Sequence, residues 1–278
     1  YLNVDGIIEA AEECDCDAIH PGYGFLAENA AFASRCAENG IVFIGPDIEN
    51  LELFGDKGRA RAAAADADVP VLAGIDKPVS LEETRGFYAS LGDQAGMMIK
   101  AVAGGGGRGT RAVTDAAGIE RAYRRCRSEA TTAFGNGDLY VEEFIARARH
   151  IEVQILGDNN GDIVHLGERE CSVQRRFQKI LEVAPSPYLS KPLRAKIIDA
   201  ALRLARSSNY SNLGTFEFLV DTNTANGENA FFFIEANARL QVEHTVTEEV
   251  TGVDIVQAQI QLAEGASVKD IGLDGPNI

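Results

Sequence analysis

Residues 233–249 read Phe233-Ile-Glu-Ala-Asn-Ala-Arg-Leu-Gln-Val-Glu-His-Thr-Val-Thr-Glu-Glu249, and the fold is decided here. From Ile234 to Glu243 the residues alternate without a break. Ile234, Ala236, Ala238, Leu240 and Val242 are apolar, while Glu235, Asn237, Arg239, Gln241 and Glu243 are polar. A period of two belongs to an extended strand whose two sets of side chains point to opposite faces. A half-buried antiparallel strand with a solvated polar side has this pattern. Here, however, the polar side carries two acids, two amides and an arginine, and a second acid-bearing strand lies just upstream.

That upstream segment, Gly214-Thr-Phe-Glu-Phe-Leu-Val-Asp221, is predicted to be a strand, and Thr222 to Asn229 is a polar, turn-rich connection. The two strands therefore form a hairpin. In register, Glu217 stands beside Glu235, with Asn237 one step along the same face. Two carboxylates and an amide oxygen suit Mg²⁺, a hard cation that takes oxygen ligands and shares its shell with phosphate and water. Without a cation the two acids repel each other.

The wider chain limits what such a site can serve. The 278 residues, 45% hydrophobic, allow one large or two to three small domains with their own cores. No apolar run approaches membrane-spanning length and no signal peptide is visible, so no membrane partner is expected. The formal net charge of −16 argues against nucleic acid, whose binders carry a basic footprint. Lysine is scarce, and an acidic, lysine-poor surface suits a protein adapted to high salt. Five scattered cysteines, Cys14, Cys16, Cys36, Cys126 and Cys171, fit a reducing cytoplasm better than a disulfide framework. The chain opens at Tyr1 without a methionine and enters a helical pattern at once, which reads as a piece of something longer.

In order from Tyr1, Asp5 is predicted to cap a helix through Cys14, followed by a strand at Asp17 to His20. His20-Pro-Gly-Tyr-Gly-Phe-Leu-Ala-Glu-Asn29 is a loop, an Ala-rich helix ends at Asn39-Gly40, and Ile41 to Pro46 is the next strand. This βαβ alternation indicates parallel strands. A helical pattern runs from Asp47 to Val69, broken near Gly55-Asp-Lys57. Ser80-Leu-Glu-Glu83 is a capping-box signature, opening a helix to Leu91. Gly96 to Val102 is a strand carrying Lys100. The run Gly104-Gly-Gly-Gly-Arg-Gly109 is followed by another strand, Thr110 to Val113, so no helix opens at the glycines as a dinucleotide fingerprint requires. Strand, glycine loop, strand is the form of a flap that lays backbone amides over a triphosphate. An arginine-rich helix from Asp115 to about Phe134 is expected at the surface. Strands at Leu139 to Ile145, Arg149 to Leu156 and Asp162 to Gly167 build an antiparallel sheet. Cys171 to Lys179 concentrates Arg175, Arg176 and Lys179, the local positive charge that anionic substrates need. Helices from Ser190 to Ser208 and from Thr247 to Glu264 complete the pattern.

Lys57, Lys100, the glycine run, Arg149-His150, Cys171 to Lys179, Glu217 and residues 233–249 together resemble the biotin carboxylase component of biotin-dependent carboxylases, an ATP-grasp family. His20 to Asn29 and Phe43 to Pro46 match as well, and Glu243 to Glu249 looks more like the pyruvate and acyl-CoA carboxylases than the single-subunit bacterial type. The resemblance implies an α/β ATP-grasp fold. Its parts would be a partial Rossmann-like N-terminal domain (1–46), a helical linker (47–71), a lid subdomain (72–145) and an antiparallel-sheet catalytic subdomain (146–278). It also implies ATP, Mg²⁺ or Mn²⁺, and biotin on a carrier domain as substrate. The implied partners are bicarbonate, a biotinylated carrier, a carboxyltransferase and a second copy in a homodimer.

By the same resemblance, Lys57, Lys100 and the flap Gly104, Gly105, Gly106 and Gly107 contact ATP phosphates. Glu142 with the backbone of Glu143 and Ile145 holds adenine, His150 the ribose, and Gln174 belongs to the same nucleotide set. Glu217, Glu235 and Asn237 bind the metal. Lys179, Arg239, Gln241 and the backbone of Val242 place bicarbonate, and Glu243 deprotonates it. Three departures stand out. Phe177 sits where many members have His, Glu143 replaces a frequent Lys, and a further arginine of the family falls beyond Ile278. Another ATP-grasp ligase of the carbamoyl-phosphate type would share the lysines, flap and metal acids, though not residues 171–179 or 239–243. A non-catalytic ATP-binding module is the third reading.

Overall fold

The computed structural model describes residues 1–92, 96–103, 109–175, 178–223 and 230–273. Among these residues the chain is a mixed α/β protein with three sheets. The first unit comprises α1 (Val4–Glu13), β1 (Ala18–Ile19), α2 (Ala30–Glu38) and β2 (Val42–Phe43). The two short strands pair in parallel, as the βαβ reading requires. Asn3, not Asp5, caps α1: its Oδ1 accepts the Gly6 N–H at 3.2 Å. Phe32, Cys36, Ile41, Ile8 and Leu26 close a small core.

The helical segment that follows is α3 (Ile48–Gly55) and α4 (Lys57–Asp66). Asp56 makes the break between them, because its extended backbone ends one helix while its Oδ1 accepts the N–H groups of Gly58 (2.9 Å) and Arg59 (3.0 Å) to start the next. Next come β3 (Gly74–Ile75), α5 (Leu81–Ser90), β4 (Gly96–Ala101), β5 (Thr110–Val113), α6 (Ile119–Phe134) and β6 (Leu139–Phe144). Their strands form an antiparallel sheet in the order β3-β6-β4-β5. The arginine-rich α6 is amphipathic rather than wholly solvated. Ile119, Ala122, Cys126 and Ala130, spaced by three or four, bury against Met97, Ile99 and Val141.

The third unit is built from β7 (Ala148–Gly157), β8 (Ile163–Arg175), β9 (Gln178–Val183), α7 (Lys191–Ser207), β10 (Asn212–Asp221), β11 (Phe231–Asn237), α8 (His244–Thr251) and α9 (Ile255–Ala263). Its antiparallel sheet has the order β11-β10-β7-β8-β9. Period two divides this sheet cleanly. Ile151, Val153, Ile155, Phe216, Phe218 and Phe233 pack on α3, α4 and α7, whereas Glu152, Gln154 and Glu217 point to the other face.

Three expectations change. Cys171 to Arg175 is not a separate charged run but the end of β8, which passes the expected stop at Gly167 through a bulge where that glycine takes φ +80°. The final helix is two, because Gly252 at φ +72° ends α8 and Asp254 caps α9. The alternating strand ends at Asn237, and Val242 and Glu243 lie in a turn. The β10–β11 register also shifts: Glu217 pairs with Glu235 but Phe218 pairs with Phe233, leaving Ile234 as a bulge. In a regular strand Phe233 and Glu235 would share a face. The extra residue lets Phe233 enter the core while Glu235 faces the opposite side. Among the described residues, no helix is long and apolar enough to cross a membrane.

Candidate active site

A row of side chains crosses the five-stranded sheet at matched register: Glu235 on β11, Glu217 on β10, Glu152 on β7 and Arg169 on β8. Three carboxylates on neighbouring strands repel one another unless cations meet them. Lys179, from the start of β9, supplies one ammonium for three acids: it is ion-paired with Glu152, lies 3.2 Å from Glu217 Oε1 and 3.3 Å from Glu243 Oε1. Lys57, at the start of α4, pairs with Glu235. His150 Nε2 is 2.7 Å from Glu217 Oε2.

These pairs decide the protonation states. Burial disfavours charge on Glu217, but His150 and Lys179 outweigh it and hold the carboxyl well below the usual range. The Lys57 ammonium holds Glu235 down too, against the opposing effect of burial. Burial and then Glu217 push Glu152 up. Burial also works against the charge on Lys57 and Lys179, yet Glu235 raises the first and Glu217, Glu152 and Glu243 raise the second, so both are held as ammonium groups.

Above this floor lies a cleft of about 900 Å³, walled on one side by the β3-β6-β4-β5 sheet. Lys57, Lys100, Glu142, Glu143, Ile145, His150, Gln174, Lys179, Glu217, Glu235, Asn237, Arg239, Gln241, Val242 and Glu243 all line it. The flap residues Gly104, Gly105, Gly106 and Gly107 lie outside the described residues, as do Arg176 and Phe177. Leu72, Met98, Leu219 and the bulged Ile234 give the cleft an apolar wall.

Individual contacts refine the sequence reading. Glu142 is 1% exposed and clasped between Lys100 and Arg61, whose Nη1 is 3.3 Å away. The Glu143 N–H is committed to the Ala73 carbonyl at 2.8 Å. Both His150 ring nitrogens are engaged, Nε2 with Glu217 and Nδ1 with the Gln174 amide at 2.9 Å. Asn237 Nδ2 (2.7 Å) and Gln241 Nε2 (3.0 Å) both donate to Glu217 Oε1. Arg239 donates through Nε to Glu28 Oε2 at 2.8 Å and through Nη2 to Asn237 Oδ1 at 3.0 Å. The Glu217 and Glu235 carboxylates, on paired strand positions, are hard oxygen donors that fit Mg²⁺ or Mn²⁺, and the Asn237 amide beside them turns its nitrogen to Glu217 and its oxygen to Arg239.

Sequence reasoning missed Glu152, Arg169, Arg61 and Glu28. For Glu152 the signal was present, since a strand from Arg149 puts His150, Glu152 and Gln154 on one face. The other three meet the site only through contacts between residues far apart in the chain.

Residues 56–271 match the family model for the carbamoyl-phosphate synthase L chain, ATP binding domain. The chain belongs to that ATP-binding family. Residues 1–51 match a second model, the biotin carboxylase N-terminal domain. A pyruvate carboxylase of Staphylococcus aureus is 53% identical over 270 residues, which is 96% of this chain and 23% of the relative. Among solved structures, a biotin carboxylase–β,γ-ATP complex from Campylobacter jejuni superposes with a TM-score of 0.91 at 46% identity, covering 96% of this chain and 58% of that one. The biotin carboxylase domain dimer of Hydrogenobacter thermophilus 2-oxoglutarate carboxylase, solved with MgADP, ADP and bicarbonate, gives a TM-score of 0.91 at 44% identity, with the same coverages. This member of the ATP-binding family therefore has the ATP-grasp architecture of the biotin carboxylases, and it spans 23% of the pyruvate carboxylase it matches.

Proposed function

We propose that this chain supplies the ATP- and bicarbonate-dependent carboxylation of biotin, the first half-reaction of a biotin-dependent carboxylase. The observation that carries the reading is the position of Lys179: one ammonium lies between Glu217, a metal acid, and Glu243, the acid assigned as base. Nucleotide phosphate and bicarbonate therefore meet at a single positive centre.

In this reading adenine lies against Leu72, Met98 and Leu219, near the backbone of Glu143 and Ile145. Glu142 acts through Lys100, which it holds in place for the phosphates together with Lys57 and the flap Gly104 to Gly107. His150 exchanges one of its two partners for the ribose. Glu217, Glu235 and Asn237 would hold Mg²⁺ or Mn²⁺, which supplies neutralisation of the phosphate oxygens when bound. Lys179, Arg239, Gln241 and the Val242 backbone place bicarbonate, and Glu243 takes its proton. The freed oxygen attacks the γ-phosphorus as the bond to ADP breaks, giving carboxyphosphate. This splits into CO₂ and phosphate. The phosphate removes the ureido proton of biotin, and the nitrogen adds to CO₂.

Biotin arrives on a carrier domain, a carboxyltransferase consumes the product, and the working state is a homodimer. The division at 46, 71 and 145 is the domain plan we assign, and the compartment is the cytoplasm, in keeping with five unpaired thiols. A ligase of the carbamoyl-phosphate type is the second reading, favoured by the match over residues 56–271. The biotin carboxylase match over residues 1–51 weighs against it.

The test is ATP hydrolysis by the full-length protein with bicarbonate and biotin added singly and together. Turnover should require bicarbonate, rise with biotin and fall about 10²- to 10⁴-fold in Glu243→Gln, the usual contribution of a general base. Bicarbonate-dependent turnover indifferent to biotin would favour the carbamoyl-phosphate type; indifference to both would remove the carboxylase reading.

A further inference from the structure

Arg169 is fully buried, yet it never touches the cleft. Its Nη1 donates to Gln154 Oε1 (2.8 Å) and Thr247 Oγ1 (2.9 Å). Its Nη2 donates to Gln241 Oε1 (2.9 Å), Thr215 Oγ1 (3.3 Å) and Glu152 Oε2 (3.3 Å). These acceptors come from β7, β10, α8 and the segment after β11, so one planar group gathers four parts of the chain.

We propose that Arg169 is a positioning residue that fixes the orientation of the Gln241 amide and thereby decides which end of it faces bicarbonate. The proposal rests on the bicarbonate reading above. A guanidinium offers only donors. The atom of Gln241 that meets it is therefore the oxygen, since the reversed amide would set its NH₂ against another N–H. With Oε1 held, Nε2 points the other way, where it donates to Glu217 Oε1 at 3.0 Å beside Lys179. Gln154 is ordered by the same guanidinium, with its Nε2 turned to the Gly214 carbonyl at 2.9 Å. Gln241 is itself buried, so water does not compete for its oxygen. An anion in the cleft accordingly meets a donor at position 241. Without Arg169 the Glu217 carboxylate alone holds the amide this way, through the same Nε2 that bicarbonate would engage, so an anion that draws Nε2 off leaves the oxygen end unheld. A lysine cannot substitute, because a point charge on a flexible stem does not span these acceptors.

Arg169→Met and Arg169→Lys in the full-length protein test this, with ATP cleavage followed as bicarbonate and ATP are varied in turn. The bicarbonate KM should rise roughly 10- to 100-fold, as expected for one hydrogen bond to a charged group, while the ATP KM moves less than about twofold. Arg169→Met combined with Gln241→Met should cost no more than the larger single change, because both remove the same donor. Equal losses for both substrates, or additive effects, would reduce Arg169 to a scaffold residue and overturn the proposal. If Arg169→Met does not fold, Gln241→Glu decides: it keeps an acceptor for Arg169 but gives bicarbonate an oxygen, and an unchanged bicarbonate KM overturns the proposal. A wild-type protein indifferent to bicarbonate overturns both readings, whereas a bicarbonate-dependent wild type with unshifted variants overturns this one alone.

Discussion

Glu142 shows how far a single position can be read before its neighbours are known. Its place on a strand beside the cleft is visible from Leu139 to Ile145, and a nucleotide contact is the natural assignment. The side chain holds Lys100 and Arg61 at the cleft wall, and Arg61 lies 81 positions earlier, a pairing that no periodicity reveals. Arg61→Met would leave Glu142 with one cation and Asp76 with none from this arginine. Breaking such a buried pair from one side costs about 3–5 kcal/mol, which urea unfolding should show as a lower midpoint with an unchanged slope. Glu217 and Glu235 were readable because a period of two needs no knowledge of distant residues. Ile234 was not, since the bulge that turns it into the cleft is a property of the pair of strands and not of either one.

At the scale of elements, local signals read best. The capping box on α5 forms as its sequence prescribes, with Ser80 Oγ accepting the Glu83 N–H at 3.2 Å and Glu83 Oε2 accepting the Ser80 N–H at 2.7 Å. Ser80→Ala should cost about 1 kcal/mol, measurable by thermal unfolding. The bonds from the Ser80 backbone and then its hydroxyl hold the Glu83 carboxyl below its usual value. A depressed carboxyl adds stability above the unfolded value, about 4.3, and loses it as the pH falls through the folded one. Glu83→Gln should therefore narrow the stability difference between wild type and variant on acidification from neutral pH and leave none once the carboxyl is protonated. The split between α8 and α9 was missed although Gly252 and Asp254 both announce it, because apolar positions on either side continue a helical spacing. The end of β8 was hidden by its charges, which suit a strand only when its neighbours in the same sheet carry a row of acids.

For the whole molecule, sequence supports the α/β class and the order of its parts, but not how the sheets meet. The backbone between α4 and β3 serves both large sheets: the Pro70 carbonyl accepts the Phe233 N–H at 2.8 Å, and the Ala73 carbonyl accepts the Glu143 N–H of β6 at 2.8 Å. The net charge of −16 is also a property of the whole. Raising salt from about 0.01 to 1 M shortens the screening length from about 30 to about 3 Å. Self-repulsion should weaken, and Tm should rise by roughly 2–4 °C for each kcal/mol gained. A Tm that falls with salt would instead show that attractive surface pairs outweigh the excess of acids. Finally, α4 carries Lys57 and Arg61 one turn apart, about 6 Å along its axis. The first is tied to Glu235 in the five-stranded sheet, the second to Glu142 in the four-stranded one. The helix is thus a yoke with one pin in each jaw: a swing of either sheet drags the other through it, or shears a buried pair.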